Sequence, residues 1–565
     1  MNWKLGFFSL LSLALFSPPS FSLSNKEFKI GMVQEFENLN PMIMSMSATT
    51  YMAHMVNRVL VSLDADGKWY PQLAKQIPTK ENGRMKIEGS GDKKYIVAKW
   101  DIVDSAKWGD GTPVTCQDFA FALQVAANPN ISVSSKSSYD MIEEISWEPS
   151  TPKKCTFKYK NATFNYFHEM SQFYPLPKHI EESVFQKFSS QPEGYDRNSN
   201  YTKNPSLAGL YNGPYLISEV KLGSHVAFVP NPYFYGKPTK IQKVIVKLIP
   251  SSSTLTTNLK AGNIDMISVM GLSMDEALIF DKKVKAEKLP YQVLFQPSRV
   301  YEHIDLNLEN PILKDVRVRQ ALMYGMNREE MVNSLFEGKQ TVADHFIHPL
   351  DVWYTKDPKK INLYTYNKKE ASRLLDEAGW KMGPNNLRTK DGQKLSFVFM
   401  TTAENKLRSV VQTYLQNQWK NLGIEIVIKN EPARVFFADT TRKRTFPALA
   451  MFAWTSAPES SPKEQLHSSQ IPSKENSWVG QNYPGWKNAE VDKLLMDVEK
   501  EFDSKKRVKI LEKILKHFTE EVPALPLFYR SDIAVIPSTL KNFRLTGHQY
   551  QDTNNIENWD LESSN

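Results

Sequence analysis

The chain has 565 residues, 41% of them hydrophobic and 12% aromatic, with a formal net charge of +8 at pH 7. This is globular composition for roughly two to four domains. Its lysines are spread along the chain with no long basic block, which excludes the clustered footprint of a nucleic-acid binder.

Residues 1–24, "MNWKLGFFSLLSLALFSPPSFSLS", place one early cation, Lys4, before an apolar run from Leu5 to Phe16. That run is too short for the ~20 helical residues a bilayer requires. Pro18 and Pro19 end it and small residues follow, so it reads as a secretory signal peptide cut near Ser22 or Ser24. No cysteine lies near the cut, so a lipid anchor is not expected, and the mature chain is expected to be soluble and exported.

The mature chain alternates strands and helices. "EFKIGMV" and "KYIVAKWDIV" read as strands. "TCQDFAFALQVA" reads as a helix, with Thr115 as N-cap and Asp118 three residues on as in a capping box. The chain's two cysteines are Cys116 and Cys155. In an oxidising compartment they either bridge or stay as two separate buried thiols. "GPYLISEV" and "HVAFVPN" are strands joined by the turn "KLGS". "TLTTNLKAGNIDMI" is a helix stopped at Gly262 and then a short strand. "DVRVRQALMYGM" is a helix, followed by "NREEMVNSLFEG", with Asn327 as cap and Gly338 past the end; "NKKEASRLLDEAGW" repeats that grammar. "KLSFVFMT", "NKLRSVVQTYLQNQWKNLG" and "IEIVIK" form a strand–helix–strand unit that favours parallel pairing. Two amphipathic helices, "NAEVDKLLMDVEKEF" and "KKRVKILEKILKHFTEE", precede the strand "ALPLFYR". The class is α/β with mixed sheets.

Catalytic signatures are missing. There is no G-x-S-x-G elbow, no phosphate-binding G-x-x-x-x-G-K-[ST] and no G-x-G-x-x-G after a strand. The chain's 10 histidines are scattered. His345 and His348 come nearest to a metal pair, but Pro349 follows them and no third ligand is evident. The expectation is no enzyme, no metal and no cofactor.

Several blocks fall in order: "LNP" at 39–41, "AKWGDGTPVTCQDFAFAL", "NGPYLISEVKLGSHVAFVPNPYFYGKP", "LKAGNIDMI", "LKDVRVRQALMYGMNREEMV", "EASRLLDEAGW" and "NAEVDKLL…VPALPLFYR". Together they resemble the dipeptide/oligopeptide (peptide/nickel) solute-binding proteins of ABC importers, solute-binding family five, over nearly the whole mature chain. The block from Trp108 to Asp118 and the block from Asp315 to Ala321 are specific in combination. Each also has a structural reading: Asp110–Gly111 as a turn, and Arg317 and Arg319 as pins for a helix.

The resemblance implies a two-lobed periplasmic binding protein (Venus-flytrap, class II/cluster C) with an extra domain inserted in the first lobe. The expected layout is a signal peptide at 1–24, lobe I at 25–49, 196–297 and 524–565, the inserted domain at 50–195, and lobe II at 298–523. It further implies a periplasmic monomer that closes on a peptide and docks on an ABC permease. Two alternatives share the fold: a binder of a non-peptide solute such as a metal chelate, haem, an oligosaccharide or an opine, and a chemosensory receptor. Cys116 and Cys155 would then form a disulfide in the inserted domain.

The resemblance also nominates ligand contacts. Trp454 stands where the second lobe offers an aromatic wall. In the family an Asp three residues later binds the ligand's free α-amino group; here the run is Trp454, Thr455, Ser456, Ala457, and the acid is missing. Glu459, or Glu35 or Glu37 from the opposite lobe, would have to replace it, or the ligand has no free amine at that end. Because Pro458 stiffens the segment and Thr455 and Ser456 suit neutral hydrogen bonds, the last is the expectation. Phe36, Tyr139, Arg434 and Arg442 complete the candidates; Arg442, Lys443 and Arg444 also read as a solvated turn.

Overall fold

The computed structural model describes residues 27–562 apart from 36–38, 45, 92, 404, 477 and 479. The expected signal peptide lies outside the described residues.

The local grammar of the sequence is realised where caps and stops are strongest. Helix Cys116–Ala127 starts at Thr115, whose side chain and that of Asp118 form a reciprocal capping box. Helices Arg328–Phe336, Lys368–Glu377 and Lys406–Lys420 start at Asn327, Asn367 and Asn405, and each asparagine side chain accepts a backbone N–H of the first turn. Gly338, Gly379 and Gly423 follow their helices with φ of +72°, +91° and +79°, a region a side chain would strain. Arg319 is buried on helix Val316–Tyr324 and donates to the carbonyls of Leu313, Glu521 and Val522. It therefore ties that helix to the end of helix Ser504–Glu521.

One mixed 11-stranded sheet runs through the whole molecule. Its first half is built on Phe28–Met32, parallel to Val244–Leu248 and Met266–Ile267, with antiparallel His225–Pro230 and Tyr215–Lys221 beyond. Its second half holds the expected crossover unit, Ser396–Met400 parallel to Glu425–Ile428, and Leu449–Thr455 beside it. Two long strands, Tyr291–Leu306 and Ala524–Pro537, cross between the halves and pair antiparallel with each other. The register is interrupted between Pro297 and Tyr301. On one side of the break the ribbon borders Met266–Ile267, on the other Leu449–Thr455. "ALPLFYR" is thus the first part of a strand that serves both halves, because its ladder with Tyr291–Leu306 continues past Arg530.

A separate four-stranded sheet contains Met85–Glu88, Tyr95–Asp101, Lys154–Tyr159 and Ile142–Ser146. Trp100 and Trp108 of this region share one continuous buried cluster with Phe28 and Trp559, so this sheet packs on the first half without a core of its own. Cys116 and Cys155 are bridged there, with Cα atoms 5.5 Å apart. In the second half, Val491, Leu494, Leu495 and Val498 line one face of helix Ala489–Lys500. They meet Leu511, Ile514, Leu515 and Phe518 of the next helix, the pairing expected of two amphipathic stripes. Among the described residues no helix is long and apolar enough to cross a membrane.

Candidate functional site

A cavity of about 350 Å³ lies in the second half beside the crossing ribbon. Its floor follows from strand geometry. Tyr301, His303 and Asp305 alternate along Tyr291–Leu306 and so share one face. Trp454 on the neighbouring strand stands directly opposite Tyr301 and joins that face. The Trp454 ring stacks on Tyr483 at 5.7 Å and meets Phe452 edge-on at 5.4 Å, so one side is packed while another lines the cavity. Further walls come from the loop that includes His348, Asp351 and Trp353, the run Thr455–Ala457, and the short helix that includes Glu464.

The polar groups here are unevenly satisfied. Asp305 is 3% exposed; His303 Nε2 is 3.2 Å from one carboxylate oxygen, and the other oxygen has no hydrogen-bond partner among the described residues. Asp351 is paired at 2.8 Å with Arg299 and accepts the backbone N–H groups of Trp353 and Glu459. His348 Nδ1 accepts the Leu350 N–H, which leaves the hydrogen on Nε2, again without a partner. Burial, reinforced by the Arg299 charge, lowers the pKa of His348 to about 3, so the ring is neutral at pH 7. Tyr301 Oη, Trp353 Nε1 and Ser461 Oγ are also buried without partners among the described residues. Buried polar atoms are ordinarily paired, so this concentration around one cavity marks a binding surface.

The two halves touch just outside this cavity. Glu459, at φ +50°, turns its carboxylate to Arg507, 3.3 Å from Nη2, and lies 3.9 Å from Nε2 of His168 in the opposite half. Trp69 stacks on His168 at 4.5 Å. Phe164 lies against both Arg507 and Trp353. Burial and then the Arg507 charge lower the pKa of His168 to about 3, whereas burial and then the Asp351 charge raise that of Glu459.

The sequence-derived candidates separate in this frame. Trp454, Thr455, Ser456 and Ala457 line the cavity. Glu459 does not; the turn after Pro458 directs its carboxylate to Arg507 and the opposing half. Glu35 borders a hollow of about 10 Å³ beside Gly223 and His225. Tyr139 is a core residue, its ring tilted against Phe173 at 4.5 Å and its hydroxyl accepting the Tyr174 N–H, at the edge of another hollow with Met42 and Gln172. Arg442 donates to the Trp478 carbonyl at an exposed turn. Phe36, Glu37 and the Arg434 side chain lie outside the described residues. His345 and His348 are buried rather than ordinary loop histidines; His345 Nε2 is 2.8 Å from the Thr355 carbonyl. The residues missed were His303, Asp305 and Asp351. For His303 and Asp305 the signal was present in "YEHIDL", where polar side chains recur at a strand's period of 2 on a face that has to be buried; Asp351, in a loop, had none.

Two lobes sharing one sheet through a paired double crossing, with an extra sheet packed on the first lobe and a polar–aromatic cavity near the crossing, define a solute-binding protein of the Venus-flytrap class. The chain belongs to the bacterial extracellular solute-binding proteins, family 5, whose model matches residues 68–475. It is 29% identical over 464 residues to the oligopeptide-binding protein AppA of Bacillus subtilis (strain 168), covering 81% of this chain and 79% of that one. An oligopeptide-binding protein from Thermus thermophilus, solved with a pentapeptide, superposes with a TM-score of 0.69 at 26% identity, over 95% of this chain and 96% of that one. AppA from Bacillus subtilis, solved with a nonapeptide, gives 0.68 at 25% identity, over 95% and 99%.

Proposed function

We propose that this chain is the exported substrate-binding subunit of an ABC importer, which encloses an extended peptide between its lobes and hands it to a membrane permease. The observation that carries this reading is the cavity at Trp454. Its volume suits the end of a ligand, its walls are aromatic, and Thr455, Ser456, Gln465, Gln481 and Asn482 offer neutral donors and acceptors of the kind amide groups need. The names of the relatives above agree with a peptide. The mature chain works as a periplasmic monomer freed of residues 1–24, without a lipid anchor. It performs no chemistry on its ligand: closure excludes water, and transport is driven by its partners.

The lobes of this proposal follow the expected layout with one adjustment. Lobe I comprises 25–49, 196–297 and the C-terminal segment, the inserted domain 50–195, and lobe II starts at 298. Because Ala524–Tyr529 still ladder with Tyr301–Asp305, the return to lobe I is set near Arg530.

The test is native mass spectrometry of the purified mature protein for co-purified ligand, followed by small-angle scattering with and without it. A peptide that is released intact and compacts the molecule supports the reading. A non-peptide ligand, a turned-over ligand or an unchanged envelope at saturation overturns it.

A further inference from the structure

We infer that the solvent face of helix Ser504–Glu521 is a docking surface for the anionic headgroups of a lipid membrane, on which the protein settles through a line of lysines. The inference does not depend on which solute the cavity holds.

The helix has two faces of different chemistry. Leu511, Ile514, Leu515 and Phe518 are buried, and Phe518 reaches the lining of the cavity. Lys505, Lys506, Lys509, Lys513 and Lys516 are all exposed. At helical spacing they fall on one arc opposite Phe518 and span roughly 17 Å of helix axis. Among the described residues only Lys516 of these five has a carboxylate within ion-pair distance, Glu520 at 3.9 Å. The acid on the flank, Glu512, is held by Lys360 at 2.7 Å. Asp503 is occupied as the cap, where it accepts the N–H groups of Lys505 and Lys506.

This arrangement works against the helix. Lys505 and Lys509, and Lys509 and Lys513, repeat at i,i+4, where like charges repel. Lys505 and Lys506 stand in the first turn, at the positive end of the macrodipole, and that turn has no acid. Two other helices differ. On Met274–Glu287, Lys282, Lys283 and Lys285 each meet a carboxylate. Helix Ala489–Lys500, packed beside Ser504–Glu521, interleaves Glu490, Asp492 and Asp497 with Lys493. An anionic surface laid along the lysine arc relieves a repulsion that the described residues leave in place.

The chemistry of the arc selects a lipid surface over a protein. Lysine is depleted at protein interfaces, whose energy comes from buried aromatic and arginine anchors. The arc holds no Phe, Tyr, Trp or Arg, and the large apolar side chains of the helix are committed to the core. Flexible ammonium groups in a line suit a fluid array of phosphates, which each meets as a point charge. Because no apolar side chain enters the acyl region, the contact is peripheral, reversible and salt-sensitive.

The experiment is co-sedimentation of the full mature chain with vesicles of equal parts phosphatidylglycerol and phosphatidylcholine, and with vesicles of phosphatidylcholine alone. Wild type is expected to bind the mixed vesicles at least roughly tenfold more tightly. It should be released as the Debye length shrinks from about 10 Å at 0.1 M salt to about 3 Å at 1 M. Lys506→Gln, Lys509→Gln and Lys513→Gln together should weaken binding roughly 100-fold, whereas arginine at the same three positions should preserve it. Lys86, Lys203 and Lys237 are exposed and make no ion pair among the described residues, so their triple Gln variant removes equal charge elsewhere. That variant should bind nearly as wild type. Equal loss in both Gln variants overturns the lysine arc, because net charge alone then explains binding. Equal binding of wild type to the two vesicles overturns it as well, and this comparison needs no variant to fold. Release by inorganic phosphate at an ionic strength where chloride releases nothing would reassign the lysines to free phosphate and overturn the membrane surface. Each of these failures leaves the solute-binding reading standing, which the ligand and scattering measurements above decide separately.

Discussion

Arg507 lays its guanidinium over the ring of Phe164, 4.2 Å from the centroid, and so joins helix Ser504–Glu521 to the segment that follows strand Lys154–Tyr159. The same guanidinium holds Glu459, which in turn faces His168 across the lobes. A cation over an aromatic ring, out of water, contributes up to about 2 kcal/mol. Replacing Arg507 by Met also leaves Glu459 without its cation. We expect Arg507→Met to weaken binding of the co-purified ligand roughly 10- to 100-fold by titration calorimetry. Lys80→Ala, which removes a more peripheral contact with Phe502, should have little effect. Unchanged affinity in Arg507→Met would show that the clasp does not hold the lobes together.

Trp454 and Glu459 make a paired test of which side chain meets the ligand. Trp454→Ala should cost ~1–3 kcal/mol of binding through lost aromatic contact. Glu459→Gln should alter affinity much less than Trp454→Ala, because its carboxylate faces Arg507 and not the cavity. The opposite ranking, measured by calorimetry, would make Glu459 the direct anchor.

Asp552 gives a pH dependence of stability with a defined sign. It is buried beside Tyr51, whose hydroxyl donates to it at 3.2 Å. Burial, with the charge of Asp532 added, raises its pKa to about 7. Its folded value therefore lies above the unfolded one. The stability it contributes is complete below the unfolded carboxylate pKa and is lost as pH rises through 7. Asp552→Asn removes that loss. Relative to wild type, the variant should gain on the order of 3 kcal/mol on going from pH 5 to pH 8 in denaturant titrations. A difference independent of pH would refute the raised pKa.

The bridge between Cys116 and Cys155 closes a loop of sequence separation 39. A double Cys→Ser variant should lose ~2–4 kcal/mol of unfolding free energy. Alkylation of unfolded, unreduced wild type should label neither cysteine; labelling of both would show that the thiols are free in the exported protein.

Local chemistry made much of the fold legible. Thr115 with Asp118, and Asn327, Asn367 and Asn405, announce helix starts within three or four residues, and their glycine stops are as local. Trp454 was also within reach, because an aromatic that closes an apolar strand and meets a polar loop is out of place in a plain core. The assembly of the cavity was not. Asp305 and Trp454 line one cavity only because two strands pair in one register, and Asp351 reaches Arg299 through a loop folded back on the ribbon. Tyr139 shows the limit of position alone: nominated for a ligand, its ring packs beside Phe173 at the edge of a separate hollow.

The crossing ribbon limits how the molecule can open. Tyr291–Leu306 and Ala524–Pro537 are laddered to each other on both sides of the interruption between Pro297 and Tyr301. A two-stranded ribbon flexes across its face with few hydrogen bonds disturbed, whereas sliding one strand along the other shifts side chains to the wrong face. The lobes are therefore steered like two boards on one strip of spring steel. They can gape, but they resist lateral drift. A solute that enters between them then meets the Trp454 wall in the same alignment, without a search over relative positions of the two jaws.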